Sequence, residues 1–399
     1  MKQGGLDRIN ERSIARMSRQ QSHGQFLPIA AELWRYCHSR DWSGRDPYDA
    51  LNSPIFKAIP LLDSRIPRIA LTQLIKRSPI DVGKVLRIPI SQNAKALSLF
   101  LRASLLLPQL TPEGAETTKY LRSRLEELRS PGVADWSWGY NFPWQTRTVL
   151  VPTAYPNLVC TTFVAMAFLD LFDCHHNTGD LEIATNSAEF ILRDLYWTDG
   201  GEVASFSYPL PELQSKTHNA NLLAAALLCR VYTHTGDKRM LEAAIKVTRF
   251  SAGKQRPDGG WLYGEASTQN WIDNFHTGYN LTALRTISQH ARTDEFLDHI
   301  ERGFAFYRNH FICEDGAPKY FHDRTYPIDV HCVAQSIITL TEAGDADLAS
   351  KVAHWAIQNM WDEAGYFYYQ VRRSYKIRIP YMRWGQAWML LALCTLCSE

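Results

Sequence analysis

The sequence has no excess of charge of one sign and few of the features of a membrane or secreted protein. Its 43 Lys and Arg residues are balanced by 41 Asp and Glu residues, so no global basic field would recruit nucleic acid. No apolar run reaches membrane-spanning length. Residues Met1 to Gln25 are polar and basic, without the apolar stretch of a signal peptide. These absences predict a cytoplasmic protein with no transmembrane segment and no nucleic-acid partner, and leave open a peripheral contact with a membrane surface.

The eight cysteines are scattered through apolar stretches and do not suggest a disulfide framework. Cys394 and Cys397 form one C-x-x-C pair, and no second pair accompanies it. Because a structural zinc site needs four ligands, we expect no metal and no cofactor. Hydrophobic residues make up 45% of the chain and charged residues 21%, which is typical of a globular protein with a sizeable core.

A recurring helix-turn-helix punctuation is the strongest signal in the sequence. Gly after an apolar run ends a helix, and Asp after it caps the next one, so each copy predicts a helical hairpin. The copies occupy 178–180, 235–237, 292–294 and 343–345.

The runs that flank each punctuation differ in polarity. Runs 160–172, 219–232, 276–287 and 331–340, and a fifth run at 383–397, are apolar almost all round. Such helices must be covered on every side, which predicts an inner ring. The runs after each punctuation, 182–196, 240–250, 295–311 and 346–360, are amphipathic and predict outer helices.

Asp-Gly turns flanked by aromatic residues join each outer helix to the next inner one, and favour short β-hairpins. Counting from the first of these turns gives six outer helices, near 27, 115, 182, 240, 295 and 346, and six inner helices, near 93, 160, 219, 276, 331 and 383. We therefore predict an all-α fold: a single (α/α)6 toroid of six helical hairpins over 27–399. Residues 1–26 are a polar N-terminal lead-in, and the proline-rich stretch 45–92 is a rim insertion.

This pattern resembles the six-hairpin superfamily of glycosidases, polysaccharide lyases and sugar epimerases, and the related toroids of terpenoid cyclases and prenyltransferases. Residues 255–261 are similar to the Q-x-x-D-G-G-W element of terpenoid cyclases, where the element is structural. Most of the chain, including 271–280, also resembles uncharacterised proteins encoded in exopolysaccharide and capsule gene clusters. That resemblance implies a role in polysaccharide biosynthesis without naming a reaction.

The long connections all run from outer to inner helices, so residues at the inner-helix starts should gather on one face around a cleft. The candidate catalytic residues at this station are His276, Tyr279, His331 and Asp273. His276 is the best single candidate for a general acid or base, because an unperturbed histidine titrates near neutral pH. Polar residues at helix starts are most often caps, and we expect capping for Asn157 and Asp329.

Aromatic and cationic residues near the same face are the candidate ligand-binding residues. Flat aromatic rings stack on sugars or enclose polyprenyl chains, although about half should only pack against the ring. Clustered guanidinium groups suit carboxylate or phosphate groups on a ligand. The candidate substrate-binding residues are Trp138, Tyr140, Arg147, His218, Asn219, Tyr263, Glu265, Trp271, Arg372, Tyr381, Arg383 and Trp384. We expect His276, Tyr279, His331, Tyr381, Arg383 and Trp384 to line the deepest part of the cleft.

Three functions are compatible with these residues. The first is a carbohydrate-active enzyme for an acidic saccharide, free or lipid-linked: an epimerase or lyase with a histidine or tyrosine base, or a hydrolase with two opposed carboxyls among Glu265, Asp273 and Asp329. The second is a terpenoid cyclase or prenyltransferase, although the Asp-x-Asp-Asp and Asp-x-Cys motifs of those enzymes are missing. The third is a non-catalytic saccharide-binding or scaffold protein of a polymer-export complex. The sequence leaves the oligomeric state open.

Overall fold

The computed structural model describes residues 24–108 and 114–398. The predicted lead-in lies outside these residues, except for a 3-10 turn at Gly24–Phe26. In chain order, the α-helices are α1 (Leu27–His38), α2 (Pro54–Lys57), α3 (Arg65–Arg77), α4 (Val82–Val85), α5 (Ala94–Leu106), α6 (Gly114–Glu127), α7 (Leu158–His175), α8 (Thr178–Phe190), α9 (His218–Thr235), α10 (Lys238–Ala252), α11 (Asn274–Ala291), α12 (Leu297–Phe311), α13 (Val330–Glu342), α14 (Ala346–Met360) and α15 (Ala387–Ser398).

Six of these helices form a closed inner ring. Helices α5, α7, α9, α11, α13 and α15 each contact the next, and α15 returns to contact α5. An outer helix packs on each of them: α6 on α5, α8 on α7, α10 on α9, α12 on α11, α14 on α13 and α1 on α15. The predicted (α/α)6 toroid of six hairpins is confirmed, and every predicted helix start lies within about four residues of the observed one.

The inner helices are the apolar ones, as the runs without a polar face require. Helix α7 has the length and the composition of a helix that could cross a membrane, but 67% of that stretch is buried inside the ring. It therefore differs from the prediction that no apolar run would be long enough. Cys160 on α7, Cys229 on α9 and Cys394 on α15 are buried in the core as small hydrophobic residues.

Side-chain caps fix where four inner helices begin. Asn93 accepts hydrogen bonds from the backbone N–H groups of residues 95 and 96, and Asn157 from those of 159 and 160. Asp273 caps α11 and Asp329 caps α13 in the same way. The capping expected for Asn157 and Asp329 is therefore present. The caps place the positive ends of the helix dipoles on one face of the ring, where they favour negative charge.

Short strands occupy the connections on this face. They are β1 (Trp144–Gln145), β2 (Leu150–Val151), β3 (Tyr196–Thr198), β4 (Ala204–Phe206), β5 (Ile328–Asp329), β6 (Trp361–Asp362), β7 (Tyr366–Phe367), β8 (Gln370–Val371) and β9 (Lys376–Ile377). Antiparallel pairs join β1 to β2, β3 to β4 and β6 to β7, while β8 lies between β5 and β9. The turns of two hairpins need a glycine: Gly200 has φ +80° and Gly365 has φ +88°.

The element at 255–261 is structural. Trp261 is fully buried and donates its indole N–H to the carbonyl of Ser251 at 3.1 Å. Gln255 donates to the carbonyls of Gly259 and His299. A side chain at Gly259 would meet the Arg302 carbonyl oxygen at 2.3 Å, so the backbone of this turn lies directly on α12. These contacts agree with the structural role that the resemblance implies.

The segment 45–92 contains α2, α3 and α4 and two 3-10 turns, Asp49–Asn52 and Pro60–Leu62. Helix α3 contacts the first of these turns, α4 and β1. Arg45 closes the segment by donating to the Ile88 carbonyl at 2.6 Å. Helix α3 is thereby held as a wall beside the N-terminal ends of the inner helices.

Candidate functional site

A cleft of about 870 Å³ opens on the face where the inner helices begin. This volume suits a ligand of a few sugar rings. The inner-helix starts supply its floor, the aromatic connections supply two walls, and α3 supplies a third. Residues from all three sources line it, including Tyr48, Lys76, Lys95, Tyr140, Trp144, Tyr208, Asn219, Tyr263, Trp271, Asp273, His276, Tyr279, His331, Arg383 and Trp384.

His276 and Asp273 form an oriented pair on the floor. One oxygen of the Asp273 carboxylate caps α11, and the other accepts from His276 Nδ1 at 2.7 Å and from the indole N–H of Trp271 at 2.9 Å. Asp273 is buried, whereas the His276 side chain is 21% exposed and lines the cleft. Because Asp273 holds the proton on Nδ1, Nε2 is left as the acceptor that an incoming ligand meets.

Tyr279 and His331 form a second pair. The Tyr279 hydroxyl lies 2.7 Å from His331 Nε2, and both side chains are buried. The His331 ring is stacked between Phe275, at 4.6 Å, and Trp388, at 4.5 Å. Burial, together with the charges of Lys95, His276 and Arg383, lowers the pKa of His331 well below its usual value. The imidazole is therefore neutral at physiological pH and can accept the hydrogen bond of the Tyr279 hydroxyl, while burial raises the pKa of Tyr279 well above its usual value.

Lys95 is the second residue of α5, two residues after the Asn93 cap, and its side chain is nearly enclosed. It is 7% exposed, and its ammonium faces aromatic rings, at 4.1 Å from the Phe163 centroid, 5.2 Å from Trp388 and 5.6 Å from Tyr279. Such contacts offset part of the cost of burying the charge. Burial, reinforced by the charge of Arg383, lowers the pKa of Lys95 to about 7. This ammonium is poised to accept an anionic ligand group or to transfer a proton.

We expect Lys95→Met to stabilise the protein. The pKa of Lys95 falls from 10.5 to about 7 on folding. The charged form is therefore penalised in the folded state, fully below about pH 7, and the penalty fades as the pH rises toward 10.5. Lys95→Met should raise the free energy of unfolding by roughly 2–4 kcal/mol at pH 6, and by about 2 kcal/mol less at pH 9. Urea unfolding at both pH values measures this difference.

The matched control is Lys351→Met, which changes an exposed lysine on α14. That variant should show neither the gain nor the pH trend. A buried charge that lowers stability is typical of a functional residue. If Lys95→Met is less stable than the wild type at both pH values, Lys95 serves packing instead.

Arg383 brings a second buried cation to the cleft. It lies in a π-helical turn, Met382–Gln386, that opens α15, and it is 6% exposed. Its Nε is 3.9 Å from Asp46, whose carboxylate also accepts the backbone N–H groups of Arg383 and Trp384. Burial and the neighbouring Asp46 carboxylate raise the pKa of Asp49 to about 8. Arg383 Nε and Nη2 have no hydrogen-bond partner within residues 24–108 and 114–398.

Aromatic rings line the walls in close pairs. Tyr263 stacks on Trp271 with centroids 4.6 Å apart and planes 15° apart, beside His276. On the opposite connection, Trp144 contacts both Tyr140 and Tyr208. Such flat surfaces match the faces of sugar rings, while the phenol and indole groups offer hydrogen bonds at the edges.

The charge of the lining is strongly one-sided. Its cationic side chains are Lys76, Lys95, Arg147, Arg324 and Arg383. Among the lining residues in the part of the chain that the structure describes, Asp273 is the only carboxylate, and hydrogen bonds occupy both of its oxygens. The lining residues therefore carry a net positive charge, and low-dielectric walls strengthen its field.

All four candidate catalytic residues, His276, Tyr279, His331 and Asp273, line the cleft. Seven of the candidate binding residues do so as well: Tyr140, Arg147, Asn219, Tyr263, Trp271, Arg383 and Trp384. Arg147 lies at the mouth, where it donates to the Thr268 carbonyl at 2.6 Å. Asn219 presents a side-chain oxygen that has no hydrogen-bond partner among the described residues.

Five candidate binding residues lie elsewhere. Trp138 is fully buried, with its indole N–H bonded to the Leu125 carbonyl. His218 is turned away toward Glu265, 3.1 Å distant, and Glu265 also pairs with Lys254. Tyr381 packs against Tyr369 and is not part of the lining, so its expected place in the deepest part of the cleft is wrong. Arg372 is not part of the lining either. These positions are displaced because a side chain at a helix start can turn into the core as well as into the cleft.

Of the lining residues that were not among the candidates, Lys95, Lys76 and Tyr48 bring polar groups into the cleft. Lys95 is one of two charged residues in a largely apolar inner run, and the other, Arg102, pairs with Asp170; a lysine at this helix start is a signal that sequence reasoning could have used. Lys76 donates to the Tyr48 hydroxyl at 2.8 Å, and this pair brings the rim to the cleft. No repeat relates the rim to the ring, so the sequence offered no signal for either residue.

Two features bear on other chemistry at this site. Asp329, a candidate carboxyl for hydrolysis, is fully buried and accepts from Trp384 and Gln370, away from the lining. Within the described ranges, no group of three His, Cys, Asp or Glu side chains is placed to hold a metal ion. The cleft thus has two histidine pairs and several cations, but no opposed pair of carboxylates.

Comparison with known proteins supports the fold. No protein-family model matches the sequence, and neither does any curated protein. Among solved structures, cellobiose 2-epimerase from Bacillus thermoamylovorans is 11% identical with a TM-score of 0.60, over 78% of this chain and 90% of that one. An α-mannanase from Bacteroides thetaiotaomicron is 14% identical with a TM-score of 0.58, over 77% and 87%. An unsaturated glucuronyl hydrolase with the tetrasaccharide dGlcA-Glc-Rha-Glc is 16% identical with a TM-score of 0.57, over 80% and 89%. The chain thus has the (α/α)6 toroid fold of sugar-processing epimerases and hydrolases.

Proposed function

We propose that this chain is an enzyme that binds an acidic saccharide in the cleft and moves a proton on the carbon next to the sugar carboxylate. The reaction class is epimerisation or β-elimination of a uronate. The observation that carries the proposal is the composition of the lining. It has five cationic side chains, two histidine pairs and a single carboxylate, Asp273, whose two oxygens already accept hydrogen bonds from the protein.

Charge supports the ligand class. A uronate places a carboxylate on each acidic ring, and Arg383, which lines the cleft, offers a cation with which to bind it. Lys95 adds a second buried cation, and the aromatic walls provide stacking surfaces for the sugar rings. One of the similar structures carries a saccharide that contains dGlcA, which is consistent with an acidic ligand on this fold.

The two histidine pairs support the reaction class. In the proposed first step, His276 Nε2 removes the proton from C5, and the electron pair moves into the carboxylate to form an enediolate. Arg383 and Lys95 stabilise the added negative charge, because fixed cations in a buried site need no reorganisation. In an epimerase the Tyr279–His331 pair returns a proton to the opposite face of C5. In a lyase the electrons instead break the bond between C4 and its oxygen, and that pair protonates the leaving oxygen.

Hydrolysis has less support. It needs two carboxyl groups facing the same glycosidic bond. Glu265 is engaged by His218 and Lys254, and Asp329 by Trp384 and Gln370, so neither faces Asp273 across the cleft. We extend the proposal to the pathway on the basis of the sequence resemblance alone: the saccharide belongs to exopolysaccharide synthesis and is modified in the cytoplasm.

Incubation with oligouronates in D2O tests the reaction class. Oligoglucuronate, oligogalacturonate and oligomannuronate are suitable probes, and mass spectrometry and NMR locate the label. An epimerase incorporates deuterium at C5, and a lyase gives an unsaturated, ultraviolet-absorbing product. New reducing ends without deuterium on carbon would show hydrolysis and contradict the proposal. Binding without any change in the saccharide would favour a binding protein instead.

A further inference from the structure

The segment 54–90 carries a concentration of exposed aliphatic side chains, and we call it the rim patch. Within the part of the chain that the structure describes, eight of the fourteen exposed large hydrophobic residues lie here. They are Leu61 (88% exposed), Ile66 (79%), Ile80 (70%), Val85 (68%), Ile90 (60%), Leu74 (55%), Ile59 (44%) and Ile55 (41%). Soluble monomers rarely expose so much apolar surface in one place, and such patches mark protein or membrane contacts.

Helix α3 shows how the patch is arranged. One face packs through the buried Ile75, and a second face, with Thr72 and Lys76, lines the cleft. The third face exposes Ile66 and Leu74, which are two helical turns apart on one stripe. The patch therefore borders the face of α3 that lines the cleft.

The exposed charges of the rim patch are almost all positive. Its exposed basic residues are Lys57, Arg65, Arg77, Lys84 and Arg87. As far as the described residues show, none of these five side chains forms an ion pair. The acidic groups of the segment are already neutralised: Asp63 pairs with Arg68 at 2.6 Å, and Asp81 with Arg45 at 3.8 Å.

We propose that the rim patch docks on an anionic lipid bilayer and holds the mouth of the cleft at the membrane surface. Aliphatic side chains surrounded by unpaired basic groups match the boundary between acyl chains and anionic headgroups. Each basic residue near such a leaflet contributes roughly a factor of five in affinity. The Tyr375 hydroxyl donates to the Arg77 carbonyl, so a half-exposed aromatic ring extends the patch, as is common at membrane interfaces. The proposal does not depend on the chemistry in the cleft.

Co-sedimentation of the full chain with lipid vesicles tests this docking. The probes are vesicles of phosphatidylcholine alone and of phosphatidylcholine mixed with phosphatidylglycerol. We expect binding to the anionic vesicles at least about tenfold tighter than to the neutral ones, and a steep loss in high salt, where the Debye length falls to about 3 Å. Equal or absent binding to the two kinds of vesicle would overturn the proposal.

Paired variants separate the apolar and the charged contributions. Ile66→Asp with Leu74→Asp, and separately Arg65→Glu with Arg77→Glu, should each lower the partition onto anionic vesicles at least about tenfold. Because these side chains are exposed, circular dichroism should show unchanged folding. Two controls make the same kinds of change elsewhere: Leu297→Asp on α12, and Lys238→Glu with Lys351→Glu.

The controls should bind like the wild type. Patch variants that bind as well as the controls would contradict the docking surface. Light scattering on the same proteins tests whether the patch instead contacts a second copy of the chain. A wild-type dimer that Ile66→Asp dissociates would show such a contact and would also overturn membrane docking.

Discussion

Replacing His276 by glutamine is expected to lower the rate of deuterium exchange or of product formation by about 10²–10⁴, the usual contribution of a general acid or base. The effect should fall on kcat, because recognition of the carboxylate rests on Arg383 and Lys95. The hydrogen bond from His276 Nδ1 to Asp273 orients the imidazole ring, which leaves Nε2 to accept the proton. Glutamine keeps a polar group of similar reach but cannot accept and release the proton.

The matched control for this variant is His310→Gln, which changes an exposed histidine on the outer helix α12. It should retain full activity. Affinity of His276→Gln for the same oligouronate should remain within about threefold of the wild-type value, since ground-state contacts persist. If His276→Gln keeps its rate within a few-fold, His276 is not the base, and the Tyr279–His331 pair would have to supply it.

The ring could be predicted because its signals are local and repeated. A Gly or Thr beside an Asp, between an apolar and an amphipathic run, specifies a hairpin without reference to the rest of the chain. The same logic identified the station of His276, His331 and Arg383, because every inner helix begins on the same face. The prediction that the ring closes needed only the number of hairpins, which is six.

The direction of individual side chains could not be predicted in this way. Trp138 and Tyr381 lie in the same connections as Tyr140 and Trp384, yet the first two pack inside and the second two face the cleft. Which way each side chain points depends on the aromatic rings that pack beside it in the folded protein. His218 likewise turns away from the cleft, because Glu265 and Ser251 offer it partners there.

The rim shows the other limit. Lys76 and Tyr48 reach the cleft from a segment without a repeat, so only the packing of α3 on the Asp49–Asn52 turn brings them there. Lys95 differs from these two residues, since a lysine at the start of a largely apolar inner run, where a charge is costly to bury, is a signal in the sequence itself. An apolar run should therefore be searched for the charged residue that interrupts it.

Arg383→Gln is expected to weaken binding of an oligouronate by about 10²–10³, the range for loss of a buried charge-assisted contact. The fold should survive, because Asp46 is held by the backbone N–H groups of Arg383 and Trp384, which the substitution retains. The affinity of Arg383→Lys should lie between those of the wild type and Arg383→Gln, since lysine keeps the charge but loses the paired donors. Isothermal titration measures all three proteins.

Arg324→Gln is the control for position. Arg324 also lines the cleft, but its side chain is 58% exposed at the mouth. Water and salt screen such a group, so its loss should change affinity by no more than about fivefold. Equal effects at Arg324 and Arg383 would mean that net charge alone, rather than a built carboxylate site, accounts for binding.

The most direct test of the account compares the affinity of the wild-type protein for an oligouronate and for its carboxyl-reduced counterpart. The two ligands share ring size, linkage and hydroxyl groups, and differ only in the carboxylate. We expect the acidic form to bind at least about 30-fold more tightly at physiological salt, and Arg383→Gln to remove most of that preference. Equal affinity of the wild type for the two forms would contradict an acidic saccharide as the ligand of the cleft.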